Sequence, residues 1–196
     1  MKTHRINVAV LGLVLLGIGG CTTQPTTTTL RERAGDALWQ ERYGEAETLY
    51  GELVDRYPQD WRVQYGFGVS SMHTGNLSDA RQALEIAHTL RPANRDIAID
   101  LAEVMFLQDD RNGLFLFLRD RAESRSDSRD WLLLAEYSLM TEDPDSAREC
   151  IEQAMIVDDA SSAATWLDAA TLSERMGDLD SAMMYLRTAY TIEPDN

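Results

Sequence analysis

Outside the carboxylates, few residues in this chain could do chemistry: two cysteines, Cys21 and Cys150, and three histidines, His4, His73 and His88. A metal centre would need His and Cys at ligand spacing, with pairs a few residues apart. The histidines stand singly and neither cysteine has such a neighbour, so no metal and no cofactor is expected. The stretch "QDDRNG", Gln108 to Gly113, faintly resembles a calcium loop, but Gln108 and Arg119 fall at its first and last ligand positions. Calcium needs carboxylates there. No glycine loop cradles a phosphate and no nucleophile elbow occurs. The 33 Asp and Glu, against 18 Lys and Arg, are scattered over helix-forming sequence, which describes a solvated face rather than an acid–base pair. Nothing here points to an enzyme. A net charge of −15 also argues against nucleic acid, whose phosphates would be repelled.

One cysteine is placed for another kind of chemistry. Residues 1–20 read as a short basic start with Lys2 and Arg5, thirteen largely apolar residues from Ile6 to Ile18, then Gly19 and Gly20. That is the layout of a secretory signal peptide, and its apolar core is short for a membrane span. The run Ile18-Gly19-Gly20-Cys21 resembles a bacterial lipobox. The resemblance implies cleavage before Cys21 and a thioether from its sulfur to diacylglycerol. Thr22 follows where an Asp would resemble an inner-membrane retention signal, so the resemblance favours the outer membrane, on the periplasmic side. Loss of Lys2 and Arg5 with an acid-free leader takes the body from −15 to −17. Once Cys21 is acylated, Cys150 has no cysteine left in the chain to pair with. Residues 21–29, the cysteine followed by "TTQPTTTT", cannot bury a core and read as a tether.

The elements beyond the tether, residues 30–196, repeat. "RYGEAETLYGELVDRYPQD" from Arg42 aligns without gaps with "NLSDARQALEIAHTLRPAN" from Asn76, at a spacing of 34. Ala46 matches Ala80, Tyr50 matches Leu84 and Pro58 matches Pro92; near the end Ala182, Leu186, Ala189 and Pro194 repeat the pattern. This period and content resemble the tetratricopeptide repeat, a helix–turn–helix unit. Five units follow, at about 27–60, 61–94, 95–127, 128–161 and 163–196. The resemblance implies an all-α fold, a right-handed superhelix of stacked hairpins in which small residues such as Gly68, Ala80 and Ala87 let paired helices approach. The third unit is degenerate: Leu114 stands where a small residue belongs, and "GLFLFL" is apolar on every side.

In the family, the first helices line a concave peptide groove. The corresponding positions here are Tyr65, Val69, Met72 and His73; Ile99, Glu103, Phe106 and Leu107; and Leu132, Glu136, Leu139 and Met140. A groove of this composition suits a hydrophobic or basic peptide, although some of these residues could equally pack between units. The basic clamp that other repeats use for a terminal carboxylate is absent. Phe115 and Phe117 of the third unit read either as filler for a misfit pair or as an exposed aromatic patch. Met183, Met184, Tyr185 and Tyr190, on a last helix with no polar capping helix after it, are expected to dock another protein or a second copy. Anchor, tether and array together resemble pilotin-like lipoproteins of the PilF and TadD classes, which help a secretin reach the outer membrane. The expected role is therefore a protein–protein scaffold in assembly of a pilus or secretion system. An adaptor for an envelope or cell-wall protease and a structural subunit of an envelope complex remain alternatives.

Overall fold

A computed structural model of the chain describes residues 27–158 and 162–193. Among them are ten α-helices, joined as five hairpins. These are α1 (Thr27–Trp39) with α2 (Tyr43–Arg56), α3 (Trp61–Thr74) with α4 (Leu77–Leu90), and α5 (Arg95–Leu107) with α6 (Arg111–Arg125). The last two are α7 (Ser128–Met140) with α8 (Pro144–Asp158), and α9 (Ala163–Arg175) with α10 (Leu179–Ile192). The five hairpins span residues 27–56, 61–90, 95–125, 128–158 and 163–192. The leader, Cys21 and most of the tether lie outside the described residues. The last three residues of the expected tether, Thr27 to Thr29, are the first turn of α1, which Leu30 pins by burying its side chain.

Local sequence explains where the helices start and stop. Asp60, Asn94, Asp110, Asp127, Ser162 and Asp178 each cap a helix by accepting a backbone N–H with the side chain, which satisfies donors the first turn leaves open. Proline opens α8 at Pro144, where the missing N–H is not needed. Every turn inside a hairpin closes alike. The N–H of Arg42, Asn76, Asp110, Asp143 and Asp178 donates back five residues, to the carbonyls of Ala37, Ser71, Met105, Ser138 and Ser173. The residue before each donor is left-handed: Gly75 and Gly177 in two units, but Glu41, Asp109 and Glu142 in the others. The geometry is thus common to all units even where the turn glycine is missing, because the closing hydrogen bonds hold the backbone in place. Gly75→Ala, at φ +86, is expected to destabilise the array by about 1 kcal/mol, seen as a lower urea midpoint.

Packing follows the small positions. Ala46, Ala80, Ala147 and Ala182 are buried between the helices of their hairpins. In the second unit the approach is closer still: a Cβ on Gly68 would lie 2.7 Å from Leu84 Cγ. The third unit departs from this. Leu114 takes the small position and is fully buried, and α5 and α6 touch along less of their length than the partners of any other hairpin. A second departure sits one turn before the end of α6. Arg121 occupies the place held by Ala87, Ala154 and Ala189 elsewhere, and it is also buried. Its partner is Asp130 of α7, which stands where the second and third units have Val63 and Ile97. Arg121 Nε lies 3.0 Å from Asp130 Oδ2, Arg95 Nη1 is 3.1 Å from Oδ1, and Arg121 Nη1 donates to the Pro92 carbonyl at 2.7 Å. The junction between the third and fourth hairpins is therefore a buried ion pair where the first two junctions set Leu53 with Val63 and Ala87 with Ile97.

Candidate functional site

The first helices of successive hairpins, α3, α5 and α7, set their side chains on neighbouring stripes because residues three and four apart share a helix face. Tyr65 and Val69 of α3, Ile99 and Phe106 of α5, and Leu139 of α7 are half-buried. His73, Glu103, Leu107, Glu136 and Met140 are exposed. Met72 and Leu132 are buried, at 7% and 5% exposure, and belong to the main core rather than to an open surface. Leu132 is deeper than its counterparts Tyr65 and Ile99 because the next hairpin covers it. With Leu133, Glu136, Leu172 and Arg175 it forms the wall of a depression of about 220 Å³ between α7 and α9.

Three features of this face were not among the sequence-derived positions. Asp100, one residue beyond Ile99, is half-buried and lies near the Tyr65 hydroxyl. Burial pushes its carboxyl above the usual range, and the nearby Glu103 and Asp96 push the same way. Burial likewise raises the Tyr65 phenol, with Asp100 adding to it. Tyr137 of α7 is buried with its ring 5.7 Å from that of Phe106, and its phenol is raised by burial and then by Glu103, Glu136 and Asp100. Arg175 of α9 reaches Glu136 at 3.4 Å. The signal for Asp100 and Tyr137 was only their adjacency to Ile99 and Glu136. A step of one residue turns a helix by about 100°, so packing decides which of two neighbours looks into the groove. At the other end His73 stacks on Tyr43, with ring centres 4.0 Å apart.

The other candidate surface divides. Met183, Met184 and Tyr190 of α10 are exposed. Tyr185 is not available for docking: it is buried against Trp166, with ring centres 5.6 Å apart, since one face of α10 must cover α9. Phe115 and Phe117 are half-buried against the core. Phe117 meets His88 edge-on at 5.1 Å, and the residue of this run that stands free is Leu116, 68% exposed.

Among the described residues no group of three His, Cys, Asp or Glu could hold a metal ion, and no helix is long and apolar enough to cross a membrane. Cys150 of α8 is a free, buried thiol, and burial pushes it up to about 11. From an ordinary value of 9.0, that leaves roughly a hundredfold less thiolate, the reactive form. In the full chain carrying Cys21→Ser, Ellman's reagent at mildly alkaline pH is expected to modify Cys150 roughly a hundredfold more slowly in the folded state than in urea.

Comparison with known proteins agrees with this geometry. Models of the tetratricopeptide repeat match residues 32–95 and 163–196. Among solved structures, a MamA protein superposes with TM-score 0.58 at 16% identity, covering 85% of this chain and 91% of that one. MamA 41-end from Desulfovibrio magneticus RS-1 gives TM-score 0.58 at 16% identity, over 86% and 96%. A MamA structure from AMB-1 gives 0.53 at 18%, over 86% and 92%. At such identities the likeness concerns the fold. No curated protein matches the chain.

Proposed function

We infer, on the premise that this chain is a tetratricopeptide-repeat protein, that it is a non-catalytic scaffold whose groove across α3, α5 and α7 holds a peptide segment of another protein. The observation that carries this reading is the half-open apolar row of Tyr65, Val69, Ile99, Phe106 and Leu139 with Glu103 and Glu136 exposed among them. A row of this kind offers pockets to alternate side chains of an extended or helical ligand. The leader and the run Ile18-Gly19-Gly20-Cys21 support a lipid anchor in the outer membrane with the repeats facing the periplasm. Anchor, tether and scaffold together support work in assembly of a pilus or secretion system, with a secretin or pilus component as partner. The exposed residues of α10 offer a further contact, for that partner or for a second copy.

The test is crosslinked co-purification of the mature, membrane-bound protein from its native cell. A secretin or pilus component is expected, and Phe106→Asp is expected to remove it by placing an unpaired charge in the apolar row. Recovery of an envelope protease in its place would favour the adaptor role, and stable envelope subunits untouched by Phe106→Asp would favour a structural role.

A further inference from the structure

One position of the second helices sets α10 apart from the others. Leu84 of α4, Leu118 of α6 and Ile151 of α8 are equivalent by the repeat, and all three are fully buried. Each of these helices adjoins the first helix of the next hairpin. Their counterpart on α10 is Leu186, which is 49% exposed, and Leu179, Met183 and Tyr190 stand open beside it. The residue of α4 equivalent to Met183 is Arg81, which bonds across to Gln108 and Asp110 of the next hairpin. The open side of α10 is thus the side on which the other second helices receive a neighbour. A depression of about 190 Å³ lined by Leu167, Leu186 and Tyr190 continues it onto α9.

The first helix of another copy does not match this surface. A Cβ on Gly51 of α2 would meet the Phe67 ring of α3 at 3.7 Å, so Phe67 faces the hairpin before it. Leu101 and Leu134 hold the same position in α5 and α7 and are buried. In α1 the position is Arg33, exposed together with Thr29, Glu32 and Asp36. Stacking α1 on α10 would bury those charges against apolar side chains.

The α10 surface does match itself. Leu179, Met183, Leu186 and Tyr190 recur at spacings of four, three and four residues, the seam of a coiled coil. Set antiparallel to its own copy, the seam packs Met183 on Leu186 and Leu179 on Tyr190, each pair twice. Asp180 and Arg187 follow the two leucines of the seam and are exposed, with no ion-pair partner among the described residues. In the antiparallel pair Asp180 of one copy lies beside Arg187 of the other, again twice. An in-register parallel pair would set Arg187 beside Ala182, so the charges select the antiparallel one.

We propose that α10 is a self-association surface, through which two copies of this chain pair antiparallel along Leu179, Met183, Leu186 and Tyr190. The proposal takes up the α10 contact offered above and does not depend on the peptide groove.

The test is sedimentation equilibrium of the full chain carrying Cys21→Ser. A monomer–dimer equilibrium is expected, half-dissociated at about 10 µM because the interface is small. Met183→Glu and Leu186→Glu, at positions exposed in the single chain, are each expected to keep it monomeric. Association through the apolar leader would survive both. Asp180→Arg alone and Arg187→Asp alone each bring like charges together twice, and each is expected to weaken the dimer about tenfold. Mixed in equal amounts, these two variants are expected to form a heterodimer as strong as the wild-type dimer, because every charge again meets its opposite. General stickiness of α10 would give no such rescue. A chain still monomeric at about 500 µM, fifty times the expected midpoint, overturns the proposal. So does an assembly larger than a dimer, a dimer that survives both glutamates, or a mixture that fails to recover. Phe106→Asp is expected to leave the dimer unchanged, so the pairing and the groove fail separately.

Discussion

Asp130→Ala is expected to destabilise the array by about 3–5 kcal/mol, the loss typical when one member of a buried ion pair is removed. Asp130 is fully buried, and Arg121, which pairs with it at 3.0 Å, keeps only 4% of its side chain exposed. Without the carboxylate, the Arg121 guanidinium would stay in the junction between the third and fourth hairpins with the Pro92 carbonyl as its remaining partner. Arg95 and Arg125, at 3.1 and 3.6 Å from the same carboxylate, would add repulsion. Urea unfolding followed by circular dichroism measures the loss. Hydrogen exchange should place it in α5 to α8, because each repeat leans mainly on its neighbours. The double variant Arg121→Leu with Asp130→Val separates two explanations. It restores the pairing of Leu53 with Val63 in the first junction, where both are buried in one cluster. The double variant is expected to be close to the wild type in stability or above it, since apolar replacements of a buried pair are often neutral or better. If both the single and double variants lose the same amount, the ion pair is not what holds this junction.

The second large effect concerns the membrane. Cys21→Ser is expected to move the protein from the membrane pellet to the soluble fraction and to abolish incorporation of labelled palmitate. A single saturated chain holds a protein only marginally, whereas two or three acyl chains add about 0.8 kcal/mol for each buried methylene. The charge of the body is strongly negative, which repels anionic headgroups, and among its described residues no helix could span a bilayer. A Cys21→Ser protein that remained in the pellet after a salt wash would show that something other than the lipid holds it.

Much of the architecture was legible in the residues because it is local. A hairpin needs two amphipathic helices, a capped start, a left-handed closing residue and small side chains where the helices cross. Asp60, Gly75, Ala80 and Pro92 supply these within one unit, and the 34-residue spacing repeats them. The candidate groove was legible in part. Tyr65 and Val69 are half-buried and Glu103 and Glu136 exposed. Met72, Leu132 and Tyr185 carry similar signals and are buried, because adjoining helices cover them. The degenerate third unit could be seen as a misfit at Leu114, but Arg121 looked like any solvated arginine on a charged helix.

The sequence by itself determined that this chain builds five hairpins, where each begins and turns, and that a cysteine follows a cleavable-looking leader. These follow from short-range sterics and hydrogen bonding, which each segment carries within itself. Only the tertiary structure decided that Arg121 and Asp130 meet in a buried junction and that the Tyr137 ring packs against Phe106. It also decided which apolar residues of each first helix remain open to a ligand. Those outcomes depend on what the neighbouring hairpin places opposite a side chain, and a helix on its own has no opposite side.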